Sequence, residues 1–243
     1  MSDFEETYAV SECSTISGKT LLMVAASKGD LELCQELFER KADPNVAGMY
    51  CGQTPLMLAI KYPEVVEFLL NHGAHVNTFD NYGHTALTHA CVLGNLKTIV
   101  CLLEHKANPN HVTKAGSTPL KLAIIDCELN ECKNVSLSLL KDGGCDLWER
   151  GCIITNDDMK FSAQLIVYRI VVTLIEHGAN VNHASSNQHT ALSYAVITEK
   201  PVNLIMLLVK SGGDLDHKIY SGNTIRTLLT HQAEKHPMLQ MVL

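Results

Sequence analysis

Histidine and cysteine are the residues of this sequence best suited to metal binding or nucleophilic catalysis, and the chain holds 12 and nine of them respectively. A zinc site of the common kind needs paired ligands such as Cys-x-x-Cys, and a nucleophilic cysteine needs a histidine beside it. The sequence contains no Cys-x-x-Cys pair, and its nine cysteines are an odd number for a disulfide framework. We therefore expect no catalytic residue, no metal and no cofactor, and reduced thiols typical of a cytoplasmic protein.

The tripeptide Gly18-Lys19-Thr20 resembles the end of a phosphate-binding loop, but Cys13 stands where that loop requires a glycine. A Gly-x-Thr tripeptide instead recurs along the chain, with first spacings of 34, 31 and 33 residues, and it is varied once as Gln188-His189-Thr190. The pattern predicts an N-terminal extension (1–17), a repeat domain (18–221) and a C-terminal capping segment (222–243). The repeats are 18–51, 52–82, 83–115, 116–148, a divergent 149–187, and 188–221.

Each repeat carries the signals of two helices followed by a turn. The threonine can cap the first helix, and a proline such as Pro55 suits the first helical position. Gly29 and Gly94 can end that helix in a left-handed conformation, and an apolar stripe then predicts a second helix. Turn-forming residues follow, as in Ala107-Asn108-Pro109-Asn110, and these suit a hairpin that leads to the next repeat.

Two segments carry a resemblance to a known family. Gly52-Gln-Thr-Pro-Leu-Met-Leu-Ala59 and Leu174-Ile-Glu-His-Gly-Ala-Asn-Val-Asn182 resemble the signatures of the ankyrin repeat family. The resemblance implies an all-α fold, an ankyrin-repeat α-solenoid of helix-turn-helix units with short β-hairpin fingers. It also implies a concave face that binds protein partners.

Some repeats depart from this pattern. Pro63 is expected to open the second helix of the second repeat, and the fourth repeat has extra residues near Cys127 to Lys133. In the divergent repeat a second helix is expected over Leu165 to His177, with no recognisable first helix. Lys41 and Lys106 replace the glycine that usually ends the second helix, so repeats one and three are expected to close differently. Trp148 is either an exposed interface anchor or packed against the divergent repeat.

Composition excludes several classes of partner. Asp and Glu number 26 against 19 Lys and Arg, so the net charge is -7 and the basic surface that nucleic acid requires is missing. No apolar stretch approaches the roughly 20 residues that span a bilayer, and the acidic N-terminus does not resemble a secretory signal. We expect a protein partner, no nucleic acid and no membrane.

A partner surface can be placed from the resemblance, since hairpin tips and first-helix ends line the concave face of ankyrin repeats. Exposed positions of this kind usually carry polar residues. Apolar residues there indicate an interface. The residues predicted to bind the partner are Tyr50, Tyr62, Phe79, Tyr82, Val92, Leu93 and Ile125.

A modification is also implied by the resemblance. Ankyrin proteins in which an asparagine follows a leucine by eight residues are substrates of an asparaginyl hydroxylase. Four asparagines have this spacing, and the alternative is that they serve only the hairpin. These candidate hydroxylation sites are Asn45, Asn77, Asn110 and Asn182.

These observations predict a non-catalytic protein–protein interaction module, a scaffold or adaptor, in the cytoplasm. A bacterial or viral effector that captures a host protein in the host cytosol is an alternative based on the same physics. An enzyme with an unrecognised Cys/His site is the alternative of a different class.

Overall fold

A computed structural model of the protein describes residues 18–125, 156–219, 222–233 and 237–242. The described residues are helical and fall into two compact units, one formed by 18–90 with 95–114 and the other by 91–94 with the residues from 115 onward. The helices are α1 (Leu21–Lys28), α2 (Leu31–Glu39), α3 (Pro55–Leu58), α4 (Pro63–Asn71), α5 (Ala86–Leu93), α6 (Leu96–Glu104), α7 (Pro119–Ile125), α8 (Asn156–Glu176), α9 (Ala191–Ile197), α10 (Val202–Lys210), α11 (Ile225–Ala233) and a final 3₁₀ helix (Pro237–Val242).

Threonine side chains begin the first helix of the five repeats other than the divergent one, as the sequence predicts. The hydroxyl of Thr20 accepts a hydrogen bond from the Met23 amide at 3.2 Å, and the hydroxyl of Thr190 accepts one from the Ser193 amide at the same distance. Such a bond satisfies one of the backbone donors that a helix leaves unpaired at its start. The same bond is made by Thr54, Thr85 and Thr118.

The ends of the second helices correct one expectation. Gly73 ends α4 with φ +88°, and Lys41 and Lys106 take the same left-handed conformation at φ +61° and +67°. The next residue then donates its amide to a leucine carbonyl in each case, from Ala74 to Leu69 and from Ala107 to Leu102, both at 2.9 Å. The lysine repeats therefore close as the glycine repeats do, and the prediction of a different closure is wrong. The backbone bond outweighs the left-handed penalty of about 1–2 kcal/mol.

The divergent repeat also differs from expectation. Pro63 opens α4, as predicted, but α8 is one helix over Asn156–Glu176 and not a second helix that begins near Leu165. Residues 156–159, which the sequence left without a helix, extend it toward the N-terminus. The extra residues Cys127 to Lys133 and Trp148 lie outside the described residues.

First and second helices of the first unit form two layers. In one layer α1 packs against α3, and in the other α2 packs against α4 and α4 against α6. Leu22 and Leu56 fill the first layer, Leu69 and Leu102 fill the second, and all four are at most 1% exposed. In the second unit, α7 packs against α8 and α9, and α9 packs against α10 and α11.

The segments between a second helix and the next first helix are here called fingers, and in the first unit they cover residues 40–54, 72–85 and 105–114. The described residues contain no named strand, and isolated antiparallel bridges join Phe79 to Thr85 and Lys218 to Thr224. The predicted hairpins are thus reduced to single bridges and turns. The all-α class is confirmed.

Candidate protein-binding surface

Three aromatic side chains project from the fingers of the first unit. Tyr50 is 70% exposed, Phe79 58% and Tyr82 64%, and Met49 beside Tyr50 is 71% exposed. We call these four residues the finger surface. Large apolar groups left exposed in this way are typical of interfaces, where aromatic residues and methionine are enriched. The sequence pattern predicted the three aromatic residues but missed Met49, although it adjoins Tyr50.

Neighbouring fingers are joined by hydrogen bonds at the residues that carry the exposed rings. Asn81 donates its amide to the Cys51 carbonyl and its side-chain Nδ2 to the Tyr50 carbonyl, both at 2.9 Å. Lys114 donates its amide to the Tyr82 carbonyl at 3.2 Å. The rings therefore stand on a backbone that is tied from one finger to the next.

Gly83 allows this close approach. It has φ +82°, and a Cβ there would lie 2.7 Å from the Lys114 nitrogen, where no side chain fits. Glycine is the residue that tolerates both the conformation and the contact.

Asp80 fixes the second finger to helix α5. Its side chain is 1% exposed, and Oδ1 accepts hydrogen bonds from the amides of Tyr82 at 2.9 Å and His84 at 2.8 Å. The ring of His89, on α5, lies with Nε2 3.0 Å from Oδ2. Burial by itself would raise the pKa of Asp80, but the bonds from His84, His89 and Tyr82 together lower it. Sequence reasoning missed Asp80, because its structural role depends on a contact with His89, nine residues further along the chain.

We expect Asp80→Asn to reduce the stability of the protein in a pH-dependent way. A carboxyl group whose pKa is lowered on folding stabilises the fold above its unfolded pKa of about 3.9, and that stabilisation is lost as pH falls through the folded value. Urea unfolding of both proteins from neutral to acidic pH measures the difference. It should be present at neutral pH and shrink below about pH 4. A difference that stays constant down to acidic pH would contradict this role of the charge.

The other residues predicted to bind a partner are less exposed. Tyr62 is half-buried, and its ring lies against Gly29. Val92, Leu93 and Ile125 are also half-buried, and all three belong to the second unit. The structure thus brings Tyr50, Phe79 and Tyr82 onto adjacent fingers and places Tyr62 directly before α4, at the start of a second helix.

Three of the four candidate asparagines link adjacent repeats through their side-chain Nδ2 and Oδ1 atoms. Nδ2 of Asn45 donates to the Gly73 carbonyl at 3.0 Å, and Oδ1 accepts from the His75 amide at 2.8 Å. Asn77 makes the same two bonds to Lys106 and Asn108, and Asn182 makes them to Gly212 and Asp214. The asparagine amide carries its donor and its acceptor on two separate atoms, so it can bond a carbonyl and an N–H group of the neighbouring repeat at once.

Histidines and cysteines have structural surroundings. Nδ1 of His72, His105 and His177 donates to the carbonyl four residues earlier, at 2.8 to 2.9 Å, so these three occupy one repeat-equivalent position. Burial and the carboxylate of Asp30 raise the pKa of Cys34 to about 11. Burial also raises the thiol pKa of Cys91 and, with Glu67 and Glu104, that of Cys101. A raised pKa disfavours the reactive thiolate. Within the described residues, no three His, Cys, Asp or Glu side chains are grouped to hold a metal ion.

Comparison with known proteins identifies the repeat. The family model of ankyrin repeats, which holds three copies, matches residues 6–80 and 22–113. The chain is 37% identical over 78 residues to the human ankyrin repeat domain-containing protein 63, which is 30% of this chain and 20% of that protein. It is 33% identical over 126 residues to the ankyrin repeat protein FPV031 of fowlpox virus, 50% of this chain and 35% of that protein.

A longer match is less similar. The chain is 27% identical over 203 residues to the human SH3 and multiple ankyrin repeat domains protein 2, which is 80% of this chain and 10% of that protein. The matched part of the chain therefore spans between 10% and 35% of the length of each of these relatives. Ankyrin repeats are generally non-catalytic protein–protein interaction modules. Residues 6–113 of this chain are therefore identified as ankyrin repeats, in agreement with the capped helix pairs described above.

Proposed function

We propose that this protein is a non-catalytic scaffold or adaptor that binds a protein partner with the finger surface. The observation that carries the proposal is the set of three aromatic rings, 58 to 70% exposed, on fingers that are hydrogen-bonded to one another. A surface that is ordered before binding loses little conformational entropy when the complex forms. Further contacts proposed for the partner are Tyr62, directly before α4, and Val92, Leu93 and Ile125, at the ends of first helices.

Removing two of the rings tests the proposal. Tyr50→Ala combined with Tyr82→Ala should abolish most partner binding, because aromatic anchors commonly contribute about 2 kcal/mol or more each at an interface. The partner is first captured from cell lysate with wild-type protein and identified by mass spectrometry, and its affinity for each variant is then measured with purified components. The melting temperature should change little, since the rings are exposed.

Leu33→Ala is the matched control, because Leu33 is an exposed apolar residue of α2, in the other helix layer. It should leave partner affinity unchanged. Equal affinity of the double-tyrosine variant and the wild type would disprove the finger surface as the binding site.

Relatives from human and from a poxvirus match the chain at similar identity, so the resemblance gives no preference to the effector alternative. That alternative requires the same surface and a host protein as partner. The described helices include none that is long and apolar enough to cross a lipid bilayer.

We also propose that Asn45, Asn77, Asn110 and Asn182 are substrates of an asparaginyl hydroxylase. The side chains of Asn45, Asn77 and Asn182 each bridge two fingers, so the enzyme must act on a locally opened repeat. Incubation with the hydroxylase, iron and 2-oxoglutarate should add one oxygen to one or more of the four, detected by peptide mass spectrometry. No gain in mass, with a control ankyrin substrate modified in the same tube, would refute the proposal.

A further inference from the structure

We propose that the finger surface binds an acidic, extended segment of its partner, and that one aliphatic side chain of this segment enters a cavity beside Tyr50. The inference rests on the proposed function and adds the chemistry of the ligand to it. Two independent observations support it, the cavity itself and the distribution of charge in the first unit.

The cavity lies where the first finger meets helix α1. Its volume is about 110 Å³, and its walls include Gly18, Met23, Gly48, Tyr50 and Leu58. Pockets that take small-molecule ligands are usually about 300–1,000 Å³, so this one suits a single side chain and not a cofactor. Its lining is predominantly apolar, with Lys19 at its edge. An aliphatic side chain of a partner would gain the burial energy of its methyl groups there.

Charge is divided between the two sides of the first unit. On the fingers' tips and the first helices, the exposed side chains with permanent charge are Lys28, Lys61 and Lys114, and the acidic residue Asp80 is buried and bonded to three donors. The second helices and the turns directly before and after them carry eight exposed acidic residues and four exposed basic ones, a net charge of -4: Asp30, Glu32, Glu36, Glu39, Asp43, Glu64, Glu67 and Glu104 against Arg40, Lys41, Lys97 and Lys106. Although the whole chain is acidic, the side that bears the exposed rings is basic.

A partner segment with carboxylates complements that side, whereas a basic segment would be attracted to the opposite layer. The extended form follows from the geometry of the rings. They stand on successive fingers that are joined by backbone bonds, so a ligand that contacts Tyr50 and Tyr82 must cross from one finger to the next.

Fluorescence polarisation with three labelled peptides tests the inference on the full-length protein. In the first peptide aspartate alternates with leucine, in the second lysine replaces aspartate, and in the third serine replaces leucine. We expect the first to bind at least about tenfold more tightly than either of the others, a difference of about 1.4 kcal/mol. Its affinity should fall as sodium chloride is raised from about 0.05 M to about 0.5 M, because salt screens exposed charges.

Variants of the protein test the role of charge and the role of the cavity separately. Lys28→Glu with Lys114→Glu should weaken the aspartate–leucine peptide by about tenfold. Arg40→Glu with Lys97→Glu makes the same change of charge on the second-helix layer and should have little effect. Gly48→Leu fills the cavity without backbone strain, because a Cβ at Gly48 meets its nearest neighbours, Gln53, Gly18 and Met23, at 3.5 to 3.6 Å. It should weaken the peptide by about tenfold, whereas Ala47→Leu, one residue outside the lining, should not.

Equal binding of the lysine peptide, or unchanged binding by the Lys28/Lys114 variant, would overturn the acidic ligand. Unchanged binding by Gly48→Leu would overturn the cavity as the anchor site. If none of the three peptides binds, the inference fails, while the double-tyrosine experiment still decides the proposed function separately. Self-association of the wild type that Gly48→Leu abolishes would identify a second copy of the chain as the occupant and would also overturn the inference.

Discussion

Gly29→Ala should lower the free energy of unfolding by about 2–5 kcal/mol, a large share of the stability of a protein of this kind. Gly29 ends α1 with φ +74°, and its amide donates to the carbonyl of Ala26 at 3.2 Å. An alanine in this left-handed conformation costs about 1–2 kcal/mol. Its Cβ would also lie 2.3 Å from the ring of Tyr62, so the ring must move, and forced displacement in a packed site costs about 1–3 kcal/mol.

Gly73→Ala is the matched control because it isolates the backbone cost. Gly73 has a similar φ, +88°, but a Cβ there meets no atom within 4 Å. It should therefore cost about 1–2 kcal/mol. Urea unfolding followed by circular dichroism measures both variants. If the two lose equal stability, the contact between Tyr62 and Gly29 does not constrain the repeat, and Tyr62 would be free to serve a partner.

The repeat architecture could be predicted because local signals specify each element. Thr20, Thr54 and Pro63 mark helix starts through bonds and angles within a few residues, and the structure shows each helix beginning there. Lys41 and Lys106 were misjudged for the opposite reason. Their left-handed conformation is set by an amide-to-carbonyl bond that forms whatever side chain is present, and residue type alone did not indicate it.

The candidate surface was only partly predictable. Tyr50, Phe79 and Tyr82 lie on turns, where an aromatic residue has no neighbouring layer to cover it, and sequence pattern located them. Tyr62 lies directly before the second helix α4, and its ring packs against Gly29 of the preceding repeat, a contact that depends on how repeats stack. The cavity beside Tyr50 and the burial of Asp80 likewise arise from contacts between segments distant in sequence.

Hydrogen bonds between fingers order the surface that we propose to bind a partner. The asparagine bridges from Asn45 and Asn77 and the backbone bond from Lys114 to Tyr82 hold each finger against the next. If the proposed function holds, ligand affinity depends on the exposed side chains of the finger tips, whereas asparagine side chains and backbone atoms make the bonds that order the tips. Such a division lets a repeat change its ligand without losing its fold.

Leu102→Ala, the second change with a large expected effect, should cost about 2–5 kcal/mol. Leu102 is fully buried in α6, which packs against α4, and its removal leaves a cavity between two repeats that the surrounding helices cannot fill. The equivalent Leu69 and Leu174 are also fully buried, so this position belongs to the core in all three of these repeats. In a stack where each repeat is stabilised by its neighbours, Leu102→Ala should also lower the stability of helices beyond α6.

Hydrogen exchange of the backbone amides provides the measurement that locates this loss, alongside urea unfolding for its size. The amide of Ala107, which donates to the Leu102 carbonyl at 2.9 Å, and the amides of α4 should exchange faster in the variant, because both depend on the packing of α6. Leu33→Ala, at a 37% exposed position on α2, should change stability by at most about 1 kcal/mol. A loss below about 1 kcal/mol for Leu102→Ala would contradict the assignment of α6 as the core of the third repeat.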